Sequence, residues 1–247
     1  SRCDTTERRR VVTALGARLV LEGQIVVQYI MKDYDPDNTV ATAVISRSNG
    51  STVTRTVSGI RDSAKENVYL YNIPMAAKEM ADNINLSFTD IEGEPVTLIT
   101  SSGKELTGGA DYSVNTYLKN KAGDSDAELV ALCDAMKAYG QYSQLFFGYR
   151  TDLIEDQMTL DQVSETDLAS YKASRTGTEP EGITVSRVNM VLESETTINY
   201  WLSLSAGYSV NDYTYTLNGS SVTPVQDGED WVIRKQNIVA KDLGCAL

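Results

Sequence analysis

Hydrophobic and polar positions alternate with two different periods along this chain. In QIVVQYIM, Ile25, Val27, Tyr29 and Met31 fall on every second position, the pattern of a strand with one buried face. Residues 14–31 therefore open a first β region, closed by the turn DYDPDN at 33–38. TVATAVISR and STVTRTVS follow, separated by Ser48-Asn49-Gly50. Asn-Gly between two β-branched runs predicts a hairpin, because both residues tolerate positive φ. NVYLYNI (67–73), INLSF (84–88) and PVTLIT (95–100) read as further strands, and AAKEMAD (76–82) as a short helical turn. Many short strands with regular turn signals predict an Ig-like β-sandwich over 14–110, preceded by a flexible segment over 1–13.

After Gly108-Gly109 the period lengthens. Tyr112, Val114, Tyr117 and Leu118 predict a short helix. Leu129, Leu132, Cys133, Met136, Tyr139, Gly140, Ser143, Phe146 and Phe147 then form one wide apolar face at helical spacing. Ser125 with Glu128 reads as a capping box, and Gly148 suits a left-handed stop. A helix of about 22 residues spans about 33 Å. Gly140 on its apolar face predicts a close backbone approach. The helical region is placed at 111–171, with TDLIEDQM and ETDLASY as short amphipathic pieces at its end. KASRTGTEPEG (172–182) is polar and rich in turn formers, so it reads as a linker.

The β pattern then returns over 183–247. Val20-Leu21-Glu22 and Gln28-Tyr29 match Val191-Leu192-Glu193 and Asn199-Tyr200 at an offset of 171. Asn49-Gly50-Ser51 matches Asn218-Gly219-Ser220 at 169, Asn72-Ile73 matches Asn237-Ile238 at 165, and Ala77-Lys78-Glu79-Met80 matches Ala240-Lys241-Asp242-Leu243 at 163. Similar elements in the same order make this a module repeat. The second copy lacks counterparts of INLSF, PVTLIT and the helices. The expected fold is thus mainly β with a helical insert: a sandwich, a helical hairpin and a second, truncated sandwich. The truncation implies a piece of a longer array, and open edges that are either protected or used for strand exchange between molecules.

Composition narrows the chemistry. The chain has 247 residues and a net charge of −12. Residues 124–170 carry ten acidic side chains against Lys137 and Arg150. Such a surface repels phosphate backbones and argues against nucleic acid or anionic lipid. No apolar run is long enough to span a bilayer, and SRCDTTERRR has no apolar core for a signal peptide, so it reads as a linker remnant or processed end. The chain contains no histidine, which removes Ser-His-Asp and Cys-His machinery and His-ligated metals. Cys133 falls on the helix face. Cys3 and Cys245 are candidates for pairing, with no spacing rule to establish it. No cofactor is expected.

The order NIPMAAKEMAD, DYSVNTYLKN and AELVALCDAMKAYGQYSQLFFGYRTD resembles a repeated module of large, largely uncharacterised secreted proteins from Gram-positive gut anaerobes, as do GITVSRVNMVLESETTINYWLSL and NIVAKDL. The similarity covers nearly all of residues 14–247. Cys133, and Arg150 where asparagine is common, depart from the usual pattern. The resemblance implies a secreted or surface-attached modular protein, often beside Ig-like, dockerin-like or enzymatic modules, and brings no catalytic residues with it.

Candidate sites are few. Asp33, Asp35 and Asp37 alternate as in a calcium loop, but Asn38 and Val44 break the EF-hand pattern at its sixth and twelfth positions, so a solvated acidic turn is the competing reading. Glu193/Glu195, Glu155/Asp156 and Glu229/Asp230 are the carboxylate pairs a glycosidase would need. Fourteen tyrosines stand against two tryptophans and three phenylalanines. Tyr200 aligns with Tyr29 and is expected in the core. Trp201 then faces the other way and is the best candidate for an outside contact, the alternative being packing on the helical domain. Tyr213 and Tyr215 share a strand face and suit either core or binding, and Tyr149 and Tyr171 flank the helical region as candidate interface residues. A non-enzymatic recognition or spacer module is the leading expectation, with a host protein such as a mucosal glycoprotein or an immunoglobulin as partner. Carbohydrate binding and, third, a glycoside hydrolase are the alternatives.

Overall fold

The computed structural model describes residues 10–47, 50–153, 166, 169 and 176–243. Among the described residues it is β-rich, with α-helices at Val114–Lys121 and Ala127–Phe147, and the chain divides into two compact units, 1–21 with 25–155 and 156–247 with 22–24.

The first unit contains β1 (Val11–Leu21), β2 (Ile25–Lys32), β3 (Thr39–Ser46), β4 (Thr52–Val57), β5 (Ile60–Arg61), β6 (Val68–Pro74), β7 (Ile84–Asp90), β8 (Thr97–Thr100) and β9 (Ala110–Tyr112), then α1 (Val114–Lys121) and α2 (Ala127–Phe147). One sheet runs β5-β6-β2-β1-β8 and the other β4-β3-β7-β9. β8 lies parallel to β1, and the remaining pairs are antiparallel. The alternation of β2 is realised: Val27, Tyr29 and Met31 join Ala41, Ala43, Ile45, Leu86 and Phe88 of the other sheet in one buried core. The Tyr29 hydroxyl lies 3.0 Å from the Ile84 carbonyl and 3.1 Å from that of Ala110, which ties the two sheets together. Burial, and secondarily the charge of Asp111, pushes its phenol well above the ordinary value.

The helices belong to this same unit. Val114, Leu118, Cys133 and Met136 enter the core of the two sheets. Gly140 shows why the close approach was legible: a Cβ built on it would stand 2.7 Å from Met80 Sδ and 3.4 Å from the Ala77 carbonyl. Two details differ from expectation. The N-cap of α2 is Asp126, whose carboxylate accepts from the Glu128 and Leu129 amides, one residue after Ser125. A charged acceptor satisfies two amides at the positive helix end. The buried face is also narrower than the apolar one. Cys133, Met136, Gly140, Gln141, Ser143 and Gln144 are buried, whereas Phe146 is 84% exposed and Leu132 46%. At 3.6 residues per turn, one position off the buried row rotates a side chain by about 100°. At the other end, Gly148 at φ 61° closes the helix, with Tyr149 N–H donating to the Gln144 carbonyl at 2.8 Å.

β1 begins at Val11, so Val11–Thr13 belong to the sheet rather than to a flexible N-terminal segment. The amphipathic pieces expected over 151–171, apart from the short 3-10 turn Thr151–Leu153, lie almost entirely outside the described residues. So do the start of the linker, Ser48-Asn49 of the first hairpin, and Cys3 and Cys245.

The second unit contains β10 (Ile183–Leu192), β11 (Thr196–Leu204), β12 (Tyr215–Leu217), β13 (Ser220–Val222), β14 (Val225–Asp227) and β15 (Asp230–Lys235). Its sheet runs β10-β11-β15-β14, and β12-β13 form a separate hairpin. Asn218 and Gly219, at φ 52° and 78°, make the two-residue turn of that hairpin.

The repeat holds at the level of hydrogen-bond register. β1 has an irregularity between Ala14 and Gly16, and β10 has one between Val185 and Arg187, 171 residues on. Ala17 pairs with Tyr29 as Val188 pairs with Tyr200. The offset does not shrink steadily, however. The 3-10 turn at Pro36–Asn38 corresponds to Val210–Asp212, an offset of 174, before the shorter hairpin brings Ile60 onto Val225 at 165. Nor are Asn72-Ile73 and Asn237-Ile238 equivalent. Met75 N–H donates to the Ile25 carbonyl at 2.8 Å, and Ile238 N–H to that of Thr196, the counterpart of Ile25, at 3.1 Å. Ile238 therefore stands in the place of Met75, while Asn72 corresponds to Arg234, as each pairs with the same position of the preceding strand. Among the described residues the second unit has no counterpart of β7, β8 or β9.

Candidate functional site

Without counterparts of β7, β8 and β9 among the described residues, the core face of the second unit is incompletely covered there. Val27, Tyr29 and Met31 are 0%, 2% and 0% exposed. Of their counterparts, Leu202 is buried but Ile198 and Tyr200 are only half-buried, and on the neighbouring strand Val188 and Met190 are each 49% exposed. Tyr200 shares the core face as expected, but less of a core covers it.

Trp201 lies on the opposite face of β11, as the alternation predicts. It pairs across the sheet with Arg187 on one side and Val232 on the other. The Arg187 guanidinium stacks 4.2 Å from the indole centroid, and indole Nε1–H donates to Asn189 Oδ1. Arg187 is also 3.8 Å from Asp230, with both side chains more than half exposed. The result is an aromatic plane bordered by one cation and two polar groups. Arg187 stands where the first unit has Gly16, directly after the register shift, which turns it to the Trp201 face.

Tyr213 and Tyr215 come together at the hairpin, their ring centroids 6.4 Å apart. The Tyr213 hydroxyl donates to the Glu181 carbonyl at 2.6 Å, and that of Tyr215 to the Val210 carbonyl at 2.9 Å. With Val222, Pro224 and Trp231 they line an open cavity of about 360 Å³. Trp231 was not singled out from sequence, although DWVIRK places it on the same face as Ile233.

The remaining candidates do not join this surface. Tyr149 is engaged inside the first unit, where its hydroxyl donates to Asp82 Oδ2. Asp82 is fully buried, with Arg150 Nη1 at 3.9 Å. Arg47 Nη2 meets Glu79 at 3.3 Å nearby, and Glu79 also accepts from the Ala76 amide at 3.3 Å. Burial drives the Asp82 carboxyl up to about 6, against the lowering effect of the Tyr149 hydrogen bond and of Arg150. Burial and the Asp82 hydrogen bond push the Tyr149 phenol upward as well. This cluster fastens the end of α2 to the turn that follows β6. Tyr171 lies outside the described residues.

In the acidic turn, Asp33 is buried and its Oδ1 accepts from the Asp35 amide at 2.9 Å, whereas Asp35 and Asp37 are exposed. The guanidinium of Arg10 donates to the carbonyls of Asp35 and Asn38 and to the Thr39 hydroxyl. A cation of the chain itself thus holds this loop. No metal-sized cluster of acidic or cysteine side chains occurs among the described residues. Millimolar calcium is expected to leave the melting temperature unchanged; a rise on adding calcium, reversed by chelator, would restore the metal reading.

The carboxylate pairs are dispersed among structural contacts. Glu195 accepts from Gln236 at 3.3 Å and Asp230 faces Arg187, while Glu155 and Asp156 lie outside the described residues. Among the described residues no helix is long and apolar enough to cross a membrane. No family model, curated protein or solved structure matches this chain.

Proposed function

We propose that this chain is a non-enzymatic recognition segment of a secreted or cell-surface modular protein, built from an Ig-like sandwich with a helical hairpin and a second, partial Ig-like module. The observation that carries this reading is the Arg187–Trp201–Asn189 surface. A half-buried indole with a guanidinium on its face and polar groups at its edge is the composition typical of protein-binding hot spots. The acidic surface and the sequence resemblance favour a host protein, such as a mucosal glycoprotein or an immunoglobulin, over nucleic acid or membrane.

The test is capture by the immobilised chain from mucosal secretion and from serum at about 0.15 M salt, near physiological ionic strength. One dominant partner is expected, and Trp201→Ala is expected to reduce its capture roughly tenfold or more, as loss of a hot-spot aromatic does. Recovery no greater than that of an unrelated acidic protein would leave a spacer role in place of recognition.

A glycan is the second reading, favoured by the tyrosine-lined cavity beside Trp231. Binding of a sugar panel abolished by Tyr215→Ala, and untouched by Trp201→Ala, would select it.

A further inference from the structure

The first unit shows what its outer edge at β1 carries: β8, in parallel register, from Val11–Thr97 to Ala14–Thr100. The Arg10 carbonyl accepts from Thr97 N–H at 3.2 Å. In a parallel ladder that starts this way, the N–H groups of Val12 and Ala14 face β8 and donate to it. Gly182–Val185 are the counterparts of Val11–Ala14. Gly182 accepts from Ser205 N–H at 2.9 Å on the β11 side, so the amides of Ile183 and Val185 point the other way, to the outer edge.

Those edge groups are occupied by substitutes. Val185 N–H donates to the carboxylate of Glu179 at 3.0 Å, and Ile183 N–H to the Pro180 carbonyl at a long 3.5 Å. The Glu181 carbonyl, counterpart of Arg10, takes the Tyr213 hydroxyl where Arg10 takes a strand amide. Ile183 is already 6% exposed, so the apolar half of the site is in place. Two side chains and a neighbouring carbonyl therefore stand where a strand's backbone stands in the sister unit.

We propose that the outer edge of β10 at Ile183–Val185 is a strand-acceptor site. Its occupant is an extended segment of the β8 type, added parallel to β10. The segment displaces the Glu179 carboxylate from Val185 and the Tyr213 hydroxyl from Glu181. Backbone hydrogen bonds supply the attachment, and alternate apolar side chains supply the selectivity, as in other β-strand additions. Glu179 is the gate: it satisfies the edge amide and places a charge on the open edge until a strand arrives, a common protection against unwanted pairing.

The test adds a synthetic peptide of residues 94–101 to the full chain, with amide hydrogen exchange as the readout. Saturable binding is expected, with protection of the Ile183 and Val185 amides and no change at Val12 and Ala14. Glu179→Ala and Tyr213→Phe are each expected to tighten binding roughly two- to tenfold, since the peptide no longer displaces an existing hydrogen bond. The same peptide N-methylated at Thr97 and Ile99, which loses the donors of the parallel ladder, is expected not to bind. Failure to bind at millimolar peptide, or equal binding by the methylated peptide, overturns the proposal. So does a chain already dimeric with these two amides protected, because the edge would then belong to a second copy.

Discussion

Gly140→Val is expected to destabilise the first unit by about 2–3 kcal/mol, within the range for overpacking a filled core. The alanine Cβ alone would lie 2.7 Å from Met80 Sδ. Valine adds two methyl groups to that contact. Met80 is 1% exposed and cannot swing into solvent, so the clash must be met by moving α2 or the turn that carries Ala77 and Met80. The gain in helix propensity over glycine, a few tenths of a kcal/mol for a β-branched residue, is too small to offset this. The melting temperature should fall by about 4–10 °C. Met80→Ala in the same chain should recover part of the loss, because the two side chains compete for one volume. Additive effects in the double variant, or a melt within about 1 °C of the parent, would show that the helix approaches the turn less closely than described.

Asp82→Asn is expected to stabilise the chain at pH 8 by about 1–2 kcal/mol and to have little effect near pH 4. The buried carboxyl titrates near 6, above its ordinary value of 3.8. A carboxyl raised on folding costs stability while it is charged. That cost is present above the folded value, shrinks as pH falls through it, and is gone once the unfolded chain is protonated too. A rise from 3.8 to about 6 corresponds to about 3 kcal/mol. Asparagine recovers only part, since it leaves Arg150 without a carboxylate and brings its own amide to be satisfied. Paired denaturant titrations from pH 4 to pH 8 should therefore converge at the acid end. A variant less stable than the parent at pH 8 would mean that the Arg150 ion pair outweighs desolvation.

Period and turn chemistry made most of the architecture legible. The two-residue alternation in β2 and the helical spacing from Cys133 to Ser143 each correspond to a buried face. Asn218-Gly219 and Gly148 behave as their backbone freedom dictates. What escaped sequence reading has a common cause: it depends on residues far apart in the chain. The parallel pairing of β1 with β8 joins positions more than 80 apart and leaves no periodic trace. Asp82 reads as the end of a short helical turn, and nothing local in the sequence shows that Tyr149 and Arg150 close over it. Phe146 and Phe147 look like core because they are large and apolar; Phe146 falls off the buried row of α2, whereas Phe147 keeps the phase of Gly140 but is the last residue of the helix, with Lys78 over its ring. In the repeat, matching letters misaligned Asn72 with Asn237, whereas hydrogen-bond register identified Arg234.

The same logic limits what was visible at the candidate surface. Trp201 could be placed on the outer face by counting from Tyr200. The Arg187 stacked on it could not, because a bulge at Ser186 precedes it, and a bulge shifts every later side chain to the other face.

The position of β1 also has a mechanical consequence. Of its 11 residues, those from Thr13 to Leu21 pair with β2 running against it, and those from Val11 to Ala14 pair with β8 running with it. Tension applied to Val11 along the strand axis cannot unzip these ladders one rung at a time. It loads many rungs together, so the strand yields only when they give way as a group. A domain held in this way lengthens little under a pull until it opens abruptly.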